Sequence, residues 1–407
     1  MKTDFARQLI EKHGSPLFAY DLDAVKQRAQ TLLAALPEGS RLYYSSKANP
    51  LPAIARELRE LGVGAEITSD GELMAAQNAG YEDGIVFGGP GKSEEMIAKM
   101  LENDVTHFSC ESFTDAVRLS KMAVKAGVKI TAMLRVNPQQ APDARLAMSG
   151  VESQFGFDEA LLLAEGAAQR LKLPNLTLNG VHVYFGTQVA SVEALAKNTQ
   201  CALDTAVRVS EALGFKCSVI NAGGGFPWPY ASEAAGSDLA GLREALEAVW
   251  QASPLHGKAQ LCFESGRYLS AGSGTLLTTV LDVKKAGSKT FVVLDTGIHH
   301  LGGMSGLGRI PRSAITLTNL TAQREGEMVA DVVGPLCSPL DSLARGQKMA
   351  PVEVGDVLAV PNVGAYGLTA SLLGFLSHKT PTEVAYRGGR EVEKWVFQCW
   401  HNPYRAF

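Results

Sequence analysis

Lys47 stands in the run Tyr43-Tyr44-Ser45-Ser46-Lys47-Ala48-Asn49-Pro50, where an apolar strand-like segment gives way to a loop. A lysine at such a junction is ordinarily a solvated strand end. Desolvated, its amine gives up a proton more readily and becomes a nucleophile toward carbonyl carbon. Two other runs suit an anion. Ala222-Gly223-Gly224-Gly225-Phe226 lets backbone N–H groups close round a phosphate, or else makes a tight turn. Glu264-Ser265-Gly266-Arg267 adds another backbone-exposing glycine and an arginine. Glu66 and Arg135 each end a strand-like run and suit either a site or a structural ion pair. His182, in the run NGVHVYFGTQ, suits either a hydrogen-bonded core or a site.

The elements that must position these residues repeat regularly between about residues 40 and 270. Eight short apolar runs read as strands: Leu42–Ala48, Gly64–Ser69, Gly84–Gly89, Thr106–Cys110, Lys129–Val136, Leu178–Tyr184, Cys217–Ala222 and Ala259–Glu264. Several are nearly continuous in apolar residues, as strands covered on both faces should be. Helical patterns lie between them. Ile54, Leu58 and Leu61 repeat at i, i+4, i+7. Ser112 and Asp115 resemble a capping box, with Gly127 beyond the helix end. This alternation predicts a (β/α)8 TIM barrel, with an open doubly wound sheet as the competing topology. In such a barrel, function gathers at the strands' C-terminal ends, and phosphate often sits on the loops after strands seven and eight. The two glycine runs occupy those loops.

From about residue 275 the pattern changes. Leu276–Val283, Phe291–Asp295, Val352–Val360 and Glu383–Tyr386 read as strands joined by turn residues, which predicts an antiparallel β domain. Pro16–Asp21 reads as a strand outside the barrel. The expected division is a barrel over residues 22–272 and a β domain over 273–407, joined by the strand in 1–21. A chain of 407 residues accommodates a barrel of roughly 250 plus such a domain. Hydrophobic content of 46%, charged content of 20% and a formal net charge of -4 fit a globular protein and give no basic surplus for nucleic acid or anionic membrane. The N-terminus carries charges and no apolar core of a signal peptide, and no apolar run is long enough to span a bilayer. Six scattered cysteines show no metal-ligand spacing, so a reduced, cytoplasmic protein without a metal is expected. No His-Glu-x-x-His run is present. His299 and His300 would face opposite sides on a strand, and are placed instead in a loop near the substrate pocket.

Taken in order, these motifs resemble the fold-type III pyridoxal-phosphate (PLP) enzymes, within them the ornithine and diaminopimelate decarboxylase group. The likeness rests on Y-x-S-K-A-N-P at Lys47, A-E-I-T-S-D-G-E-L at Glu66, L-R-V-N-P at Arg135, and the histidine strand ending in G-T-Q. It extends to G-G-G-F-P at Gly223, E-S-G-R at Glu264, G-P-L-C-S-P-L-D at Cys337 and G-A-Y-G at Tyr366. The alanine racemase-like barrel-plus-β architecture follows from the resemblance. So do the roles: Lys47 as the Schiff-base lysine, Glu264 as partner of the pyridine nitrogen, and His182 against the ring face. Gly223, Gly224, Gly225, Gly266 and Arg267 would hold the phosphate with help from Tyr366, and Glu66 and Arg135 would complete the cofactor site. A homodimer is implied, in which Cys337 reaches the partner's site and protonates the carbanion after carbon dioxide leaves. A thiol's pKa suits it to act as that acid.

The departures concern substrate. The diaminopimelate enzymes carry Cys-Glu-Ser and the ornithine enzymes an Asp after the Cys, whereas this chain has Cys337-Ser338-Pro339-Leu340. A distal ammonium would lack that partner, and an unpaired buried charge is expensive. The Arg-Pro-x-Leu-Tyr run that takes a distal carboxylate is replaced by Gly308-Arg309-Ile310-Pro311-Arg312, so Arg309, Arg312 and Asp341 are the candidate substrate contacts. The C-S-P-L-D and G-A-Y-G-L-T-A-S runs look like the biosynthetic decarboxylases that act on aminoacyl groups tethered to an acyl carrier protein, or on bulky conjugates. Decarboxylation of free diaminopimelate, lysine or ornithine is the alternative. An amino-acid racemase and a non-catalytic PLP-binding regulator fit the residues less well.

Overall fold

The computed structural model describes residues 1–138, 153–189, 191–234, 236, 238–302, 315–322 and 324–399. The expected apolar runs form eight parallel strands, Arg41–Ser45, Gly64–Ile67, Ile85–Phe87, His107–Cys110, Ile130–Asn137, Leu176–His182, Val219–Asn221 and Gln260–Ser265. The last pairs in parallel with the first, Phe263 opposite Leu42 and Ser265 opposite Tyr44. That pairing closes the sheet into a TIM barrel and excludes the open doubly wound sheet. Serines start the helices that follow several strands. Ser69, Ser93, Ser112 and Ser191 each accept a hydrogen bond from a backbone N–H of the first helical turn, a cap worth about 1 kcal/mol. Gly127 ends the helix begun at Ser112 in the left-handed conformation.

Residues two apart on a strand share a face. Inside the barrel Tyr43, Val86, Met133 and Cys262 pack with Val219 into an apolar layer. Two residues further along the same strands stand Ser45, Gly88, Arg135, Glu264 and Asn221. By the same step His107 leads to Ser109, Gly180 to His182 and Gly64 to Glu66. The interior thus changes from apolar to polar within one strand period, at the C-terminal end of the barrel. Register keeps the polar groups level, with Arg135 opposite His182, His182 opposite Asn221 and Ser45 opposite Glu66.

The chain divides into two compact units, Lys26–Pro227 with Ser237–Leu269, and Met1–Val25 with Trp228–Gly236 and Ser270–Phe407. The second unit is a sheet of strands in the order Ser342–Met349, Met328–Val333, Lys289–Leu294, Gly274–Ala286, Leu17–Asp21, Thr382–Arg387 and Arg390–Val396. The long strand Gly274–Ala286 also pairs with Val357–Val360. This sheet is mixed rather than wholly antiparallel. Leu17–Asp21 runs parallel to Thr382–Arg387, and Lys289–Leu294 parallel to Met328–Val333. The strand expected over Val352–Val360 is only Val357–Val360, because Gly355 adopts a φ of +90° in the turn before it. Trp228–Gly236, an excursion from the barrel sequence, belongs with this unit. Its Trp228 indole N–H donates to Asn362 Oδ1 at 2.9 Å, and Asn362 Nδ2 donates back to the Ser232 carbonyl at 2.6 Å. Among the described residues no helix is long and apolar enough to cross a membrane.

Leu17–Asp21 is buried on both faces. Leu17 and Ala19 pack with Ala6 and Leu9 of the N-terminal helix Thr3–His13, and with Leu277 and Val384. Each fully buried leucine contributes about 2 kcal/mol. On the other face the Tyr20 hydroxyl donates to Glu383 Oε1 at 2.8 Å. Burial pushes the Glu383 carboxyl from 4.5 up to about 7, opposed in part by that hydrogen bond. The folded state therefore holds this proton more tightly than the unfolded chain. The resulting stability is fully present below pH 4.5 and is lost as pH rises to about 7, roughly 3 kcal/mol at most. Denaturant titrations of Glu383→Gln should show a flatter stability profile across that window than the unsubstituted protein; an unchanged slope contradicts the assignment.

Candidate active site

Glu264 lies on the strand that closes the barrel and is 4% exposed. Asn221, on the neighbouring strand, donates to Glu264 Oε1 from Nδ2 at 2.6 Å, and His182 Nε2 approaches the same oxygen at 3.4 Å. Burial alone would raise the Glu264 pKa. The His182 imidazole, with Lys47 and Arg135, more than offsets it and holds the carboxyl below its ordinary value. A buried, ionised carboxylate results, suited to keeping a proton on a heteroaromatic nitrogen. The imidazole is fixed at its other side, where Ser109 Oγ lies 2.9 Å from His182 Nδ1.

Lys47 follows the first barrel strand on a single helical turn, Ser46–Ala48. It is exposed rather than desolvated, and its Nζ stands 5.4 Å from the centre of the Tyr184 ring. Glu66 and Arg135 do not pair with each other. Arg135 donates to Glu111 Oε1 at 2.9 Å and lies 4.7 Å from the Phe155 ring centre. Glu111 Oε2 accepts the Gly156 N–H at 2.8 Å. Glu66 Oε2 and Ser265 Oγ are buried with no hydrogen-bond partner among the described residues. Orphaned polar atoms at a barrel mouth suit a polar ligand.

The glycine triplet is built tightly. A β-carbon on Gly224 would fall 1.8 Å from the Glu264 carbonyl oxygen, and Gly223 and Gly225 adopt φ of +68° and +94°. Gly223 is not the anion donor expected, since its N–H donates to Asn221 Oδ1 at 2.9 Å. The N–H groups of Gly224 and Gly225 have no partner among the described residues. Gly266 and Arg267 follow at once after the closing strand, Arg267 opening the short helix Arg267–Ser270. Donors for a phosphate, an amine for an aldehyde and a buried carboxylate for a ring nitrogen are thus present together in the barrel, and this set fits PLP.

In the sheet unit, Cys337 is the exposed cysteine of the chain, whereas Cys110, Cys217 and Cys262 are buried thiols pushed up to about 12, 11 and 12 by burial. Asp341 is not available to a substrate. It is 3% exposed, and its Oδ1 and Oδ2 accept the N–H groups of Ile298 at 2.9 Å and Leu336 at 2.8 Å. Tyr366 adopts φ +54°, and its carbonyl accepts the Tyr230 hydroxyl at 3.2 Å. His299 and His300 lie in a turn, not on a strand, with ring centres 3.7 Å apart. Arg309 and Arg312 lie outside the described residues. Motif reading passed over Asn221, Ser109 and Glu111. The step of two along each strand would have found the first two, since they follow the inward Val219 and His107.

A family profile described as pyridoxal-dependent decarboxylase, pyridoxal binding domain, matches residues 22–271. The L-glutamyl-[BtrI acyl-carrier protein] decarboxylase of Niallia circulans is 32% identical over 390 residues, 94% of this chain and 91% of that one. The diaminopimelate decarboxylase of Aquifex aeolicus is 32% identical over 377 residues, 90% and 85% of the two chains. The crystal structure of the M. jannaschii diaminopimelate decarboxylase with L-lysine matches with a TM-score of 0.84 at 26% identity, covering 95% of this chain and 90% of that one.

The crowding at Gly224 gives a direct test of the cradle. Gly224→Ala should weaken PLP binding at least about tenfold, ~1.4 kcal/mol, in a fluorescence titration, with the far-ultraviolet circular dichroism unchanged. Unaltered affinity contradicts the cradle.

Proposed function

The chain belongs to the pyridoxal-dependent decarboxylases, and from that membership we propose that its substrate is an aminoacyl group tethered to an acyl carrier protein, or an amino acid within a bulky conjugate. The reaction itself is PLP-dependent removal of an amino acid's α-carboxylate as carbon dioxide, with a proton taking its place at Cα. The observation that carries the substrate proposal is the run after Cys337. Ser338, Pro339 and Leu340 offer no carboxylate, and the acid that follows, Asp341, has both oxygens engaged by backbone N–H groups. A free diamino acid would bring a distal ammonium to a run without an anion to receive it, and a buried unpaired charge is costly. A tethered substrate brings no such charge. The likeness to a decarboxylase of a carrier-bound glutamyl group supports this reading, while the diaminopimelate decarboxylases among the relatives keep the free diamino acid as the alternative.

PLP supplies an electron-poor ring that takes up the electron pair released when the carboxylate leaves. The chain's residues do the rest. Lys47 provides the amine that would hold the cofactor's aldehyde carbon covalently. Glu264, ionised in its buried site, holds the proton on the ring nitrogen, and Asn221 and His182 keep that carboxylate aimed. His182 would lie against the ring face. The Gly224 and Gly225 N–H groups, with Gly266 and Arg267, bind the phosphate, assisted by Tyr366. Glu66 and Arg135 complete the lining. The Cys337 thiol would deliver the proton that takes the carboxylate's place at Cα, and the two subunits of a homodimer would share the site.

The substrate assignment is tested by comparing the L-glutamyl thioester of pantetheine with free diaminopimelate, lysine and ornithine, following carbon dioxide release. The thioester should show kcat/KM at least about 100-fold above any free diamino acid, ~2.7 kcal/mol of discrimination. Robust turnover of a free diamino acid with none of the thioester overturns the proposal.

A further inference from the structure

We propose that Asp341 is a positioning residue that fixes the Cys337 loop against the turn carrying His299 and His300. The inference rests on the reading of Cys337 as proton donor, and concerns how the sheet unit holds that thiol in place.

The two segments leave the sheet side by side. Lys289–Leu294 and Met328–Val333 are parallel neighbours, with Val293 opposite Val333, so the chain emerges from both in the same direction. The first strand leads into the turn with Gly297, Ile298, His299 and His300, and the second into the loop with Leu336 and Cys337. Asp341 closes the loop. Its carbonyl accepts the Gly334 N–H at 3.2 Å, and its own N–H donates to the Ser338 carbonyl at 3.2 Å. Its carboxylate then joins loop to turn through the Leu336 and Ile298 N–H groups. The Leu336 bond lies one residue from Cys337. Hydrogen bonds to an ionised acceptor are roughly twice as strong as neutral ones.

The packing allows little else at this point. A β-carbon on Gly297 would come 2.2 Å from Asp341 Oδ1. The turn is itself held from other sides. Thr296 Oγ1 lies 3.2 Å from His300 Nδ1, and the Gly302 N–H donates to the Gly367 carbonyl at 3.2 Å, next to Tyr366. His299 sits between the rings of His300 and His378, at centre distances of 3.7 and 5.1 Å. Burial pushes the His299 and His300 imidazoles down to about 4 and about 3, aided by the neighbouring histidines, so these two rings are neutral at pH 7. The Cys337 loop, the histidine turn and the Tyr366 segment form one linked assembly. Asp341 supplies the link on the cysteine side.

The obvious variant is Asp341→Asn. Its single side-chain oxygen can accept one of the two N–H groups, while its amide faces the other donor to donor. In the PLP-loaded enzyme, kcat should fall about tenfold or more with KM changed less than about twofold. The rate of Cys337 alkylation by iodoacetamide, followed by mass spectrometry, should change several-fold. On a Cys337→Ala background, Asp341→Asn should cost no further kcat, because both act through one thiol. A fall in thermal stability with kcat and alkylation unchanged overturns the proposal, as does full additivity of the two substitutions. If Cys337→Ala alone leaves kcat intact, the proton-donor reading has failed, and the alkylation rate still decides whether Asp341 holds the loop. Should Asp341→Asn not fold, hydrogen exchange of the unsubstituted protein carries the test. The Ile298 and Leu336 amides should be protected together, and fast exchange of either overturns the proposal.

Discussion

Glu264 carries a negative charge inside a barrel, and most of the candidate site is arranged to make that tolerable. A buried carboxylate without partners would take up a proton. Here it is kept ionised by Asn221 from the adjacent strand and His182 from the strand beyond, with Lys47 and Arg135 contributing at longer range. These residues come from different strands. A register slip of one residue would turn a whole strand's side chains to the opposite face. The closure pairing of Gln260–Ser265 with Arg41–Ser45 is therefore a condition for the charge as well as for the fold. The same strand end carries the Glu264 N–H bond to the Gly223 carbonyl, 2.7 Å, which sets the glycine loop beside it.

Arg135 shows how the polar layer is supported from behind. Its guanidinium is held between the Glu111 carboxylate and the Phe155 ring. The Glu111 N–H in turn donates to Asp115 Oδ2 at 3.0 Å, and Asp115 pairs with the buried Lys92 at 2.7 Å. Lys92 also donates to the Gly89 carbonyl at 2.7 Å, so the loops after the third and fourth strands are joined through a buried ion pair. Removing one member would leave the other charge buried and alone, which costs several kcal/mol.

Much of this was legible in the sequence. The barrel strands announced themselves because parallel strands covered on both faces must be apolar throughout, and Lys47, Glu66, Arg135, His182 and Glu264 stood where those runs ended. Met328–Val333 and Ser342–Met349 did not. Ser342–Met349 reads SLARGQKM and lies at the sheet edge, with only its first residues buried, so no alternation marks it. The parallel pairings in the sheet unit escaped for another reason: turn residues between close strands predict hairpins and say nothing of strands paired from distant parts of the chain. Asp341 was misread because its partners are backbone N–H groups, which leave no trace in residue type. Arg135 forms the ion pair that its strand-end position suited, but its partner was not legible, since Glu111 lies 24 residues away on a different strand end.

The central claim is that Glu264 remains ionised in its buried site and keeps the cofactor's ring nitrogen protonated. NMR of the enzyme loaded with PLP labelled at the ring nitrogen reads that proton directly. The unsubstituted enzyme should show a protonated ring nitrogen at neutral pH, and Glu264→Gln an unprotonated one. A ring nitrogen without its proton in the unsubstituted enzyme would contradict the account.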